Sequence, residues 1–122
     1  MNYETLLVNK DERGVVSLTL NRPEKRNAMS AKMIDELTNF AASLTSDVRI
    51  TVIQGAGNLF CAGGDLEWMN AQIKADRSTR IAEARKLAFM LKALNELPVP
   101  LIAKVHGAAY GCLLYTSPSP RD

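Results

Sequence analysis

The residues best placed to do chemistry are Gly63, Gly64 and Asp65, in the stretch Phe60-Cys61-Ala62-Gly63-Gly64-Asp65-Leu66. It follows an apolar run over 50–54 that reads as a buried strand, and it leads into a helical pattern. Glycine has no Cβ to hold a ligand away from the backbone. Asp65 is a good helix N-cap, and first-turn N–H groups have no partner inside a helix. Such a loop can aim an N–H at an oxygen that gains negative charge during a reaction. Its plain alternative is a strand-to-helix turn with no chemistry. Lys25 and Arg26, in the polar loop 21–28, could meet an anionic ligand or simply face water. Glu67, Glu83 and Glu96 fall at helix-surface positions and read as solvated charges. The single histidine, His106, ends a strand before Gly107 and reads as a hydrogen-bonded structural residue.

Composition narrows the classes. A chain of 122 residues with 47% hydrophobic and 23% charged side chains suits one soluble globular domain or part of one. The net charge of +2 is too small to point to nucleic acid or a membrane surface. Cys61 and Cys112 match no metal-ligand spacing and no disulfide framework. No signal peptide and no membrane-length apolar run is expected, which favours a reducing, cytoplasmic setting.

Several elements must hold these residues. Residues 5–8 and 15–20 read as strands joined by the hairpin turn Asp11-Glu12-Arg13-Gly14. Ser30 caps a helix with Met33, Leu37, Phe40, Ala41 and Leu44 on one face. The strand 50–54 follows, so a crossover to a parallel neighbour is expected. Residues 72–80 read as a polar, mobile link. A second amphipathic helix spans about 79–95, with Ile81, Ala84, Ala88, Leu91 and Leu94 sharing a face until Pro98 and Pro100 stop it. Residues 101–105 form another strand, and 106–111 another small-residue turn. Two strand-then-glycine-turn units could thus bring two backbones to one ligand. Gly55-Ala56-Gly57 supplies too few glycines for a dinucleotide-binding turn.

Three segments together, Leu20-Asn21-Arg22-Pro23-Glu24-Lys25-Arg26-Asn27-Ala28-Met29, Phe60-Cys61-Ala62-Gly63-Gly64-Asp65-Leu66 and Ala103-Lys104-Val105-His106-Gly107-Ala108-Ala109-Tyr110-Gly111, resemble the enoyl-CoA hydratase/isomerase (crotonase) family in order and spacing. The likeness covers residues 3–111. It implies an α/β fold, the crotonase-like ββα spiral, cut before the second half of the core and the C-terminal helical domain. Leu66-Glu67-Trp68-Met69 is most similar to hydratases of branched or carboxylated acyl-CoA, such as methylglutaconyl-CoA hydratase.

The resemblance implies the following roles. Gly64 matches the first oxyanion-hole amide, and Cys112, next to Gly111, matches the second. Lys25, Arg26, Ala28 and Ala62 match the coenzyme A-binding segment. Gly63, Asp65, Leu66 and Gly111 match substrate-lining positions. No metal and no separate cofactor is implied, since coenzyme A arrives as part of an acyl-CoA thioester. Relatives assemble as homotrimers or hexamers, with no nucleic acid or membrane partner.

The sequence also departs from the family. Tyr115 stands where the first catalytic glutamate is expected, and the second would lie beyond Asp122. Residues 112–122, with Pro118 and Pro120, replace an expected helix and read as a non-native or frameshifted tail. The chain as given is therefore expected to express poorly and to hydrate no acyl-CoA. Within the fold an isomerase, hydrolase or decarboxylase stays open, as does a non-catalytic coenzyme A-binding module. A serine protease on the same fold would need His106 to partner Ser30 or Ser78.

Overall fold

Asp11 and Gly14 close the first hairpin in a computed structural model that describes residues 2–109. Gly14 N–H donates to Asp11 O (3.1 Å), and Asp11 Oδ1 accepts from Arg13 N (2.8 Å). Gly14 has φ +83°, and a Cβ there would meet Asp47 O at 2.6 Å, so the turn requires glycine. The turn sets strands β1 (Leu6–Lys10) and β2 (Val15–Leu20) antiparallel, with Leu6 opposite Leu20 and Lys10 opposite Val16.

Helix α1 (Ala31–Ala42) starts where Ser30 Oγ accepts from Met33 N (3.2 Å). It leads to β3 (Ile50–Gly55), which lies parallel to β2, and β4 (Leu101–Ala103) lies parallel to β3. The sheet order is β1-β2-β3-β4, so β4 has no strand on its outer side among the described residues. Helices α2 (Leu66–Lys74) and α3 (Arg77–Asn95) fill the connection between β3 and β4. Among the described residues no helix is long and apolar enough to cross a membrane.

The core lies between one sheet face and the helices. Val16, Leu18 and Leu20 alternate inward from β2 and meet Met33, Leu37 and Phe40 of α1 and Met90 and Leu94 of α3. α3 departs from the sequence expectation. Its inner stripe is Leu87, Met90, Leu91 and Leu94, whereas Ile81, Ala84 and Ala88 are exposed. Alanine buries little apolar area, so the larger Leu87 and Met90 choose the face. Residues 72–80 also differ from a mobile link. α2 continues through Lys74, and Asp76 caps α3 by accepting from Thr79 N (2.8 Å). The capping pattern at Asp76 was the signal that a merely polar reading passed over.

Glu36 joins α1 to the start of β1. Its Oε1 accepts from Thr5 N (2.8 Å) and the Thr5 hydroxyl (2.6 Å), and its Oε2 accepts from Glu4 N (2.9 Å). Burial pushes this carboxyl up, but the Thr5 hydroxyl and the Glu4 and Thr5 amides outweigh it, so the net pKa is lowered from 4.5. A lowered folded-state pKa gives stability that is present above pH 4.5 and lost as pH falls through the folded value. Glu36→Gln is therefore expected to cost about 1.5–3 kcal/mol at neutral pH. It should also flatten the acid limb of stability against pH, measured by urea unfolding across pH 3–7 (about 0.5 pH steps suffice). An unchanged acid limb would contradict this role.

Candidate active site

The two candidate loops are zipped together by backbone. Ala62 N donates to Arg26 O (3.0 Å), Met29 N to Gly63 O (2.7 Å) and Asp65 N to Met29 O (2.9 Å). The last two form a parallel bridge between Met29 and Gly64, and the first ties the loops just before it. In such a bridge Gly63 O and Asp65 N face Met29, so the N–H of Gly64 between them is turned away from it. That N–H donates to no group among the described residues. Gly63 takes φ +99° and is buried, which lets the chain reverse its facing just before Gly64. Gly64 itself does not need a positive φ.

On its other flank the same loop meets the second turn. Cys61 bridges Ala109 in parallel, and Ala108 O accepts from Phe60 N (3.1 Å) and Cys61 N (3.2 Å). The two small-residue turns thus lie side by side, as their shared pattern suggested. Gly111 and Cys112, and Tyr115 beyond them, lie outside the described residues.

A cavity of about 470 Å³ opens against this loop. Lys25, Arg26, Ala28, Ala62, Gly64, Asp65 and Leu66 line it, which brings together seven of the residues singled out from sequence. Gly63 is not on the wall; it acts through its backbone. Lys25 and Arg26 are exposed at the rim, in and after a 3-10 turn over Pro23–Lys25, and Arg26 is held at φ +53°. Glu24, Glu67 and Met69 also line the cavity and were not anticipated. Met69 sits over Gly64: a Cβ at position 64 would meet its Sδ at 3.2 Å.

Asp65 is buried and fully engaged. Its Oδ2 accepts from Trp68 N (3.1 Å) as the cap of α2, and its Oδ1 accepts from Arg22 Nη2 (3.3 Å). The first turn of α2 therefore presents the positive end of its dipole beside the cavity. Arg22 and Asn27 were missed because their partners are remote in sequence. Arg22 Nη1 donates to Ala28 O (2.6 Å). Asn27, fully buried at φ +56°, donates its amide to Ala56 O (2.8 Å), Leu59 O (3.1 Å) and Phe60 O (3.2 Å), and its Oδ1 accepts from Arg22 N (2.8 Å).

Other candidates separate. His106 Nε2 lies 2.8 Å from Gly57 O, and Ser30 Oγ is committed to Met33 N, so these two form no hydrolytic pair. No group of three His, Cys, Asp or Glu residues among those described could hold a metal ion. Chemically, the arrangement offers a rim that carries Lys25 and Arg26 beside Glu24 and Glu67, a backbone-lined wall, and a Gly64 N–H without a partner among the described residues.

Residues 10–115 match the profile of the family described as Enoyl-CoA hydratase/isomerase. The chain is 34% identical to the mitochondrial Delta(3,5)-Delta(2,4)-dienoyl-CoA isomerase of Mus musculus, over 90% of this chain and 37% of that protein. A crystal structure of an enoyl-CoA hydratase from Mycobacterium smegmatis superposes with a TM-score of 0.79 at 40% identity, covering 85% of this chain and 40% of that one. An enoyl-CoA hydratase from Shewanella pealeana gives a TM-score of 0.87 at 33% identity, covering 91% and 42%. The chain spans about two fifths of the length of these relatives.

Proposed function

The chain belongs to the enoyl-CoA hydratase/isomerase family, and from that premise we propose that it supplies the thioester-binding half of an acyl-CoA site. The observation that carries the reading is the unpartnered N–H of Gly64 on a residue that lines a cavity rimmed by Lys25 and Arg26. When water adds across an α,β-unsaturated thioester, or a proton is moved along it, negative charge gathers on the thioester oxygen as an enolate. A fixed N–H stabilises that charge more than it stabilises the neutral carbonyl, which lowers the barrier. One such donor contributes about 3 kcal/mol in a dry site. The N-terminal end of α2 adds in the same direction. Cys112, outside the described residues, is the position proposed for the second donor.

In this reading Lys25 and Arg26 meet the phosphates of coenzyme A, while Ala28 and Ala62, small and partly or wholly buried, let the pantetheine arm lie close to the backbone. Asp65 and Leu66 border the acyl group. The reaction proposed is hydration of a 2-enoyl-CoA, with a branched or carboxylated acyl group such as 3-methylglutaconyl supported by the Leu66-Glu67-Trp68-Met69 turn. Isomerisation is the second reading, favoured by the mouse relative's name, since both reactions pass through the same enolate. A homotrimer or hexamer in the cytoplasm is the setting proposed with it.

Charge reversal tests the rim. Lys25→Glu with Arg26→Glu is expected to weaken binding of free coenzyme A about tenfold or more at low salt, read by calorimetry. The loss should shrink as salt rises. Equal affinity of the double variant and the parent chain would remove the phosphate contact from the account.

A further inference from the structure

We propose that Arg22 is a positioning residue: its guanidinium, spanning Ala28 O and Asp65 Oδ1, locks the Met29–Gly64 bridge and so fixes where the Gly64 N–H points. The inference rests on the proposed thioester site but concerns what holds it.

The geometry is a strut between the two loops. Arg22 leaves the end of β2 and reaches forward to Ala28 O at 2.6 Å, one residue before Met29. Its second nitrogen reaches Asp65, one residue after Gly64, at 3.3 Å. The two backbone bonds of the bridge, Met29 N to Gly63 O and Asp65 N to Met29 O, sit beside these two anchors. Both charged side chains are largely withdrawn from water, at 16% and 9% exposure, so the contact is screened far less than a surface ion pair. The planar fork of arginine allows both acceptors to be held at once, which a lysine ammonium on one flexible stem does less well. Asp65 passes the constraint onward, because its other oxygen caps α2 at Trp68 N. The strut thereby ties the start of α2, the Gly64 peptide and the loop bearing Lys25 and Arg26 into one unit. An N–H that must meet a developing charge needs this kind of fixing, since its value comes from being aimed in advance.

Two variants test it in the full chain. Arg22→Met keeps most of the stem's packing and removes the fork. Asp65→Asn keeps an oxygen for Trp68 N but turns an NH2 group toward Arg22, and it is the milder change if Arg22→Met fails to fold. Leu37→Ala, a core position within α1, serves as a control for plain destabilisation. Amide hydrogen exchange without ligand gives the first readout. Exchange at Met29 N and Asp65 N should quicken at least about tenfold in both variants, while amides in the middle of α1 change no more than about twofold. In Leu37→Ala the order should reverse, with α1 affected most. The second readout, taken on Arg22→Met alone because Asp65 itself lines the cavity, is the preference for the enolate of a 3-ketoacyl-CoA over free coenzyme A, expected to fall about tenfold. Bridge amides that exchange no faster than α1 amides would overturn the role of Arg22, whatever the ligand data. A parent chain with no enolate preference, but with the exchange pattern as stated, would instead overturn the thioester reading and leave the strut standing.

Discussion

Gly64→Pro is expected to weaken binding of a 3-ketoacyl-CoA enolate about 100-fold while leaving free coenzyme A within about threefold of the parent. Proline removes the one hydrogen that the account assigns to the thioester oxygen, and it removes little else. The two backbone bonds that flank position 64 use Gly63 O and Asp65 N, so neither is lost. The new ring meets Met69, whose Sδ lies 3.2 Å from where a Cβ would stand, but a methionine side chain is flexible and exposed enough to move aside. Gly64→Ala separates the two effects, because it brings the same contact with Met69 and keeps the N–H. It should retain most of the enolate preference. If alanine and proline lose it equally, the loop is acting through shape and not through its amide.

Asn27→Ala is expected to destabilise the chain by about 4 kcal/mol and to lower the urea midpoint by about 2 M. One buried NH2 group serves three carbonyls, on Ala56, Leu59 and Phe60, and the side-chain oxygen satisfies Arg22 N. Truncation takes their partner from these groups around a fully buried side chain; each such loss costs about 1–3 kcal/mol where the group stays buried. Alanine must also hold φ near +56°, a conformation that asparagine tolerates and alanine resists by about 1 kcal/mol. Asn27→Asp should be worse still at neutral pH, because it sets a carboxylate against three carbonyl oxygens, and acid should partly restore it. A midpoint for Asn27→Ala within the error of the parent would show that the loop finds other partners.

The parts of the molecule that could be read from sequence are those whose signals are local. Asp11 and Gly14 announce a hairpin within four residues, and Ser30 and Asp65 each cap a helix three residues on. The inward alternation of Val16, Leu18 and Leu20 shows in the order of apolar and polar residues along β2. Lys25, Arg26 and Gly64 could be singled out by residue type, and the fold sets all three on one cavity, whereas Gly63 contributes only backbone. What stayed hidden depends on contacts across the chain. Arg22 and Asp65 are 43 positions apart, and nothing local marks them as partners. Asn27 looked like one more polar loop residue until the fold brought three carbonyls to it. The α3 face was misread because alanines satisfy a helical period without deciding which side is buried. Met69, read as part of a helix turn, became a cavity wall only when α2 folded back over Gly64.

The central claim is that the Gly64 N–H meets a charged thioester oxygen, and nitrogen-15 NMR of the labelled chain tests it most directly. Titration with a 3-ketoacyl-CoA at a pH that favours its enolate should move the Gly64 amide proton downfield and slow its exchange, with free coenzyme A moving Lys25, Arg26 and Ala28 but not Gly64. A Gly64 resonance that stays in place while the rim residues respond to both ligands would show that the loop holds coenzyme A without offering its amide to the thioester.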